Sequence, residues 1–148
     1  MHRIMFVCHG NICRSPMAEF ILKDMTAKAG LSDDFYIASS AVSTEEIGNP
    51  VYPPAREELK KHNISCKGKT AVQLKKSDYD KYDLFLAMDE SNIRFINRIF
   101  GSDPENKVRK LLEYTTGADV ADPWYTRNFT VTYDDIVSGC RALIDTLI

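Results

Sequence analysis

The stretch from Met5 to Ser15 limits what this chain can fold into more than any other part of it. Ile4 to Val7 is an unbroken apolar run, short enough for a buried strand. Cys8 then opens a loop holding Gly10 and Asn11, the residue types that take positive φ at least cost. Arg14, Ser15 and Pro16 follow. Ser15 suits a helix N-cap, Pro16 the first helical position, and Glu19 the first turns, where a carboxylate favours the dipole. Strand, tight loop and helix N-terminus together point several backbone N–H groups into one concavity. Such a concavity attracts an anion, and phosphate above all.

The side chains add chemistry to that cradle. A thiol ringed by backbone N–H groups, a helix N-terminus and a guanidinium is expected to lose its proton near neutral pH and act as a nucleophile. Arg14 carries the fork that grips two phosphate oxygens at once. Its place at a helix start also implies an anion, since an unpaired cation there opposes the dipole. Ser15, besides capping, offers a hydroxyl to the Cys8 sulfur when that sulfur must leave. The loop is not of the Walker type, which ends in Lys-Ser/Thr and uses magnesium.

Farther along, the pattern predicts a helix from Pro16 to Ala29, with Gly30 past its end, and a strand over Phe35–Val42. Pro54–His62 reads as a helix, and residues 64–72 have no clear period. Tyr82–Met88 is a third strand, Ser91–Phe100 a helix, and Val108–Leu112 a fourth strand. Thr132–Ile148 is a closing amphipathic helix, with Thr132 and Asp135 spaced as a capping box. Strands alternating with helices imply a parallel sheet covered on both faces, with ligands beyond the C-terminal strand ends. Cys8, Asp89, Glu90 and Asp122 all fall at that edge.

Composition narrows the class. A net charge of −2 gives no case for nucleic acid or an anionic membrane as partner, and no apolar run reaches membrane-spanning length. The residues before the loop are too few for a signal peptide, so a cytoplasmic protein is expected. Cysteines at 8, 13, 66 and 140 form neither a disulfide framework nor a zinc pattern, and no metal site is expected. Cys13 suggests either loop packing or a reversible Cys8–Cys13 bridge that guards the nucleophile from over-oxidation.

Cys8-His9-Gly10-Asn11-Ile12-Cys13-Arg14-Ser15-Pro16 resembles the signature of the low-molecular-weight protein tyrosine phosphatases, and the Asp122-Pro123-Trp124-Tyr125 segment and chain length fit that family too. The resemblance covers nearly the whole chain. It implies one phosphatase domain over residues 1–148, an α/β three-layer sandwich whose four-stranded parallel sheet is flanked by helices, with the phosphate-binding loop after strand 1. It also implies hydrolysis of protein phosphotyrosine and aryl phosphate monoesters through a cysteinyl-phosphate, without metal or cofactor. Cys8 would be the nucleophile, Arg14 the phosphate clamp and Asp122 the general acid. His9, Gly10, Asn11, Ile12, Cys13 and Ser15 would bind the phosphate, with Asn11 bracing the loop against Ser40. Trp124 and Tyr125 would wall the entrance. Phosphotyrosine-bearing proteins or peptides would be the partners of a monomer with weak self-association.

The chain departs from the family in places. Glu45 stands where an aromatic rim residue is common, which favours basic over acidic peptides. Lys69 aligns where a His often supports the loop. A related branch that dephosphorylates arginine carries Thr where this chain has Ile12, so Ile12 and Trp124 lean toward aryl phosphates. Thioredoxin-coupled arsenate reductases need further thiols after the third strand, and residues 82–100 contain no Cys. A phosphate-binding module without turnover would need neither Cys8 nor Asp122.

Overall fold

The computed structural model describes residues 1–148. Its strands are β1 (His2–Cys8), β2 (Phe35–Ala41), β3 (Leu84–Ala87) and β4 (Val108–Lys110), all parallel in the order β2-β1-β3-β4. β1 is hydrogen-bonded on both edges, with Ile4 opposite Ile37 on one side and Leu84 on the other. That explains an apolar run rather than an alternating one. The chain leaves β1 for one neighbour and later returns to the other. The loop after β1 therefore opens at the point where strand order reverses, which is where open α/β sheets bind ligands.

Alternation along β1 divides the interior into two layers. Ile4, Phe6 and Cys8 join the larger core, under the helices α1 (Arg14–Lys28), α2 (Pro53–Lys60) and α5 (Phe129–Leu147). Met5 and Val7 join the smaller one, with Ile96 and Phe100 of α3 (Glu90–Phe100). A one-turn helix, α4 (Pro123–Thr126), lies between β4 and α5.

The expected elements are all present, with shifted ends. α1 begins two residues early, at Arg14, and no side chain caps it. Ser15 lies inside the helix because its hydroxyl is taken by Cys8 and Asn11. The far end follows the pattern: Gly30 takes φ +74°, and the Leu31 N–H closes on the Thr26 carbonyl at 2.8 Å. α5 begins at Phe129 with Asn128 as its cap, the Val131 N–H donating to Asn128 Oδ1 at 3.1 Å. Thr132 is not the cap; its hydroxyl donates back to the Asn128 carbonyl at 3.3 Å. β4 stops at Lys110 because Leu111 and Leu112 turn inward, beneath α5. There, a Cβ added to Gly139 would stand 2.7 Å from Leu111 Cγ, so only glycine permits the approach. Residues 64–72 form no regular element; Thr70 docks through an isolated bridge with Pro50, and Gln73, just beyond the segment, pairs with Ala41.

Candidate active site

β1 delivers Cys8 to the sheet edge, and the loop folds back around its sulfur. The Asn11 N–H donates to Cys8 Sγ at 3.3 Å and the Ser15 N–H at 3.4 Å, while Ser15 Oγ lies 3.0 Å away. The sharp bend rests on Asn11, at φ +60°, a conformation Asn tolerates better than other non-glycine residues. Its buried side chain ties three elements together. Nδ2 donates to Ser15 Oγ at 2.7 Å and to Ser39 Oγ at 3.0 Å, and Oδ1 accepts the Val72 N–H at 3.1 Å.

The brace is thus Ser39, where Ser40 was expected. Ser39 pairs with Phe6 in the sheet and shares its face, toward α1 and the loop. Ser40 pairs with Val7, and one step of register turns its side chain to the opposite face. Ser40 Oγ has no hydrogen-bond partner, and only its carbonyl takes part, accepting from Ser15 Oγ at 3.5 Å. Ser39 leads into a second buried layer. Its hydroxyl donates to Glu19 Oε1 at 2.6 Å, and its carbonyl accepts from Lys69 Nζ at 2.9 Å. Glu19 therefore supports the loop from behind, beyond the first turn of α1 where a dipole role was expected.

Arg14 is 3 % exposed and held by three acceptors. Nη1 donates to Asp89 Oδ2 at 2.8 Å and to the Val120 carbonyl at 2.9 Å, and Nη2 to Asp122 Oδ2 at 3.4 Å. Those contacts occupy both Nη1 protons and one on Nη2. Nε–H and one Nη2 proton donate to no protein group, which leaves two guanidinium donors for an anion. Burial opposes the charge of Arg14, but Cys8, Asp89 and Asp122 outweigh it and hold its pKa above the ordinary value. Both carboxylates are themselves fixed: Asp89 Oδ1 accepts the Asn92 N–H at 2.8 Å, and Asp122 Oδ1 the Trp124 N–H at 3.0 Å. Each caps a helix with one oxygen and holds Arg14 with the other. Glu90, the other acid expected at this edge, turns away to Lys110.

A cleft of about 260 Å³ opens over the sulfur. Cys8, His9, Gly10, Ile12, Cys13 and Arg14 line it from the loop, Glu45 and Glu46 from the segment after β2, and Asp122, Trp124 and Tyr125 from the far side. The expected pocket residues Asn11 and Ser15 are not on its wall; both are buried behind the loop and act through backbone N–H groups and bracing. The Trp124 ring leans on Tyr52 at 4.9 Å, and Arg127 holds the Tyr52 hydroxyl at 3.1 Å. Tyr125 stands 81 % exposed. On the rim, His9 Nε2 and Glu45 Oε2 are 3.2 Å apart. All four cysteines are free thiols, and burial, with Cys8 and Asp122 adding to it, pushes Cys13 up to about 12. No group of three or more His, Cys, Asp or Glu is placed to hold a metal ion, and no helix is long and apolar enough to cross a membrane.

Asp89, Val120, Ser39 and Tyr52 carry parts of the site that sequence reasoning did not assign. Asp89 had a signal, its position just past the third strand. The others act through a carbonyl, a strand face and a ring contact, none of which has a local sequence mark.

Residues 3–148 match the family described as low molecular weight phosphotyrosine protein phosphatase. The low molecular weight protein-tyrosine-phosphatase YfkJ of Bacillus subtilis is 39 % identical over 147 residues, covering 97 % of this chain and 94 % of the relative. PtpA of Staphylococcus aureus (strain MRSA252), of the same designation, is 35 % identical over 147 residues, covering 98 % and 93 %. The crystal structure of YfkJ superposes with a TM-score of 0.94 at 38 % identity, over 99 % of this chain and 94 % of that one. That of DARP, a Drosophila arginine phosphatase, superposes at 0.88 with 27 % identity, over 97 % and 96 %. The chain belongs to the low molecular weight protein-tyrosine-phosphatases and is a phosphoric monoester hydrolase.

Proposed function

We propose that this chain hydrolyses protein phosphotyrosine and aryl phosphate monoesters by two displacements at phosphorus, with Cys8 as nucleophile and Asp122 as acid and then base. The observation that carries this is the tie between Arg14 and Asp122, which puts a carboxyl beside the group that clamps the phosphate. Loop N–H groups and Arg14 hold the equatorial oxygens while the Cys8 thiolate attacks in line. The ester P–O bond breaks, and its oxygen leaves with the proton of Asp122. Water then attacks the cysteinyl-phosphate and gives its proton to the Asp122 carboxylate. The P–S bond breaks, and the returning thiolate is received by Ser15 Oγ and the two N–H groups already directed at Sγ. Arg14 and the amides supply the positive field, so no metal takes part.

The exposed Trp124 ring on the cleft wall offers a flat surface for an aryl leaving group, and Tyr52 packs against it at a 50° tilt. Ile12 lines the cleft where the arginine-directed branch has a polar hydroxyl, which favours phosphotyrosine over phosphoarginine. The test is hydrolysis of para-nitrophenyl phosphate in EDTA at mildly acid pH, for the parent and for Cys8→Ser. Turnover that is lost in the variant is expected. Turnover that survives it, or that needs added metal, overturns the mechanism; faster turnover of phosphoarginine than of phosphotyrosine overturns the substrate assignment.

A further inference from the structure

A cavity of about 620 Å³ lies apart from the cleft and shares no residue with it. Four cations line it, Arg56, Lys60, Lys67 and Lys69, and no Asp or Glu does. In a chain of net charge −2 that is a local reversal of sign. Arg56, Lys60 and Lys67 are exposed, and none of the chain's ion pairs engages them. Buried Val51, Ile64 and Cys66 give the cavity an apolar floor.

Lys69 distinguishes this cavity from a patch of surface lysines. It lines the cavity, yet its Nζ lies 2.9 Å from the Ser39 carbonyl and 3.6 Å from Glu19 Oε1. From Ser39 the contacts run through Asn11 Nδ2, at 3.0 Å, to the Asn11 N–H on Cys8 Sγ, at 3.3 Å. The cavity and the nucleophile thus share one hydrogen-bonded chain. Burial holds the Lys69 ammonium below its ordinary pKa against the pull of Glu19, so a second anion near it finds an incompletely compensated charge.

We propose that this cavity binds an oligophosphate anion, and that occupancy slows turnover by drawing Lys69 off Glu19 and the Ser39 carbonyl. Several cations spread around one cavity call for several anionic groups on one molecule, and Arg56 supplies the fork that phosphate oxygens accept. The effect on turnover rests on the reaction proposed above, whereas binding is read without turnover and stands or fails separately.

The experiment is a residue-resolved NMR titration of inorganic tripolyphosphate, and separately of ATP, into protein whose catalytic loop is filled with benzylphosphonate. Saturating shifts at residues 60–68 are expected, at least about tenfold weaker in Arg56→Glu/Lys60→Glu and in Lys67→Glu, which lies outside the helices. Equal affinity for both probes means that the phosphate chain alone is read; tighter ATP binding means that the apolar floor takes the base. Shifts confined to Cys8–Ser15, or insensitive to charge reversal, or weaker than those given by an acidic peptide, overturn the site. In steady-state kinetics the anion should lower kcat at least about tenfold, the size of one charge-assisted hydrogen bond, whereas a competitor in the cleft raises only KM. A change in KM alone overturns the link through Lys69.

Discussion

Asn11→Ala isolates what the loop brace contributes. Three hydrogen bonds end on the Asn11 side chain, and the residue is 1 % exposed. Removing Oδ1 leaves the Val72 N–H without its acceptor, at a cost of about 1–3 kcal/mol, and losing each Nδ2 bond costs about 0.5–1.5 kcal/mol. Ser15 and Ser39 keep other partners, so neither hydroxyl is orphaned. Alanine must also hold φ +60°, which asks about 1 kcal/mol more of it than of Asn. The sum, about 3–7 kcal/mol, is a large part of the 5–15 kcal/mol that typically separates folded from unfolded chains. Asn11→Gly removes the same hydrogen bonds but accepts the backbone conformation, so it should recover about 1 kcal/mol of the alanine loss although it is the smaller residue. Urea unfolding of parent and both variants at neutral pH reads the differences directly. An alanine variant within about 1 kcal/mol of the parent would refute the three-way brace, and a glycine variant no more stable than alanine would refute the role given to the backbone bend.

Ser39→Ala should cost about 1–3 kcal/mol because it removes the hydrogen bond to Glu19 Oε1 and strands one Asn11 proton, whereas Ser40→Ala should change stability by less than about 0.5 kcal/mol; equal losses in urea unfolding would contradict the assignment of faces. With Cys13 pushed up to about 12, its thiolate fraction at pH 7.5 is on the order of 10⁻⁴ to 10⁻⁵. Iodoacetate should label Cys8 and spare Cys13, and peptide mass spectrometry showing both labelled at similar rates would count against that difference. Glu58 is buried; burial raises its pKa, but Thr130 of α5, His62 and Lys61 outweigh that and hold it below the usual carboxylate value. A depressed carboxylate stabilises above its unfolded pKa and loses that contribution as pH falls through the folded one. Glu58→Gln should therefore be less stable than the parent near neutrality by about 1 kcal/mol, with the gap closing below about pH 4; a gap independent of pH in thermal melts would argue that the charge has no part in joining α2 to α5.

What was legible in the sequence follows from the range over which each signal acts. Cys8, Gly10, Asn11 and Arg14 lie within one turn of chain, so their loop geometry and the strand before it are set by neighbours and could be read locally. Asp122-Pro123 is equally local, and one carboxylate oxygen caps the turn it opens. The misassignments sit where a side chain's role depends on pairing across the sheet. Ser39 and Ser40 are adjacent, both hydroxyls, and indistinguishable by composition. Which of them meets Asn11 is decided by β2 pairing Phe6 with Ser39, a relation between strands far apart in the chain. The capping errors have a related cause. Ser15 and Thr132 stand at residue types and spacings that favour caps, but each hydroxyl has a competing partner, Cys8 Sγ for one and a backbone carbonyl for the other. A capping preference worth about 1 kcal/mol does not fix a helix start when tertiary contacts of similar size act on the same atom. In Ser15 the displaced cap leaves a hydroxyl beside the sulfur, and α1 instead begins at Arg14, the residue proposed to clamp the phosphate.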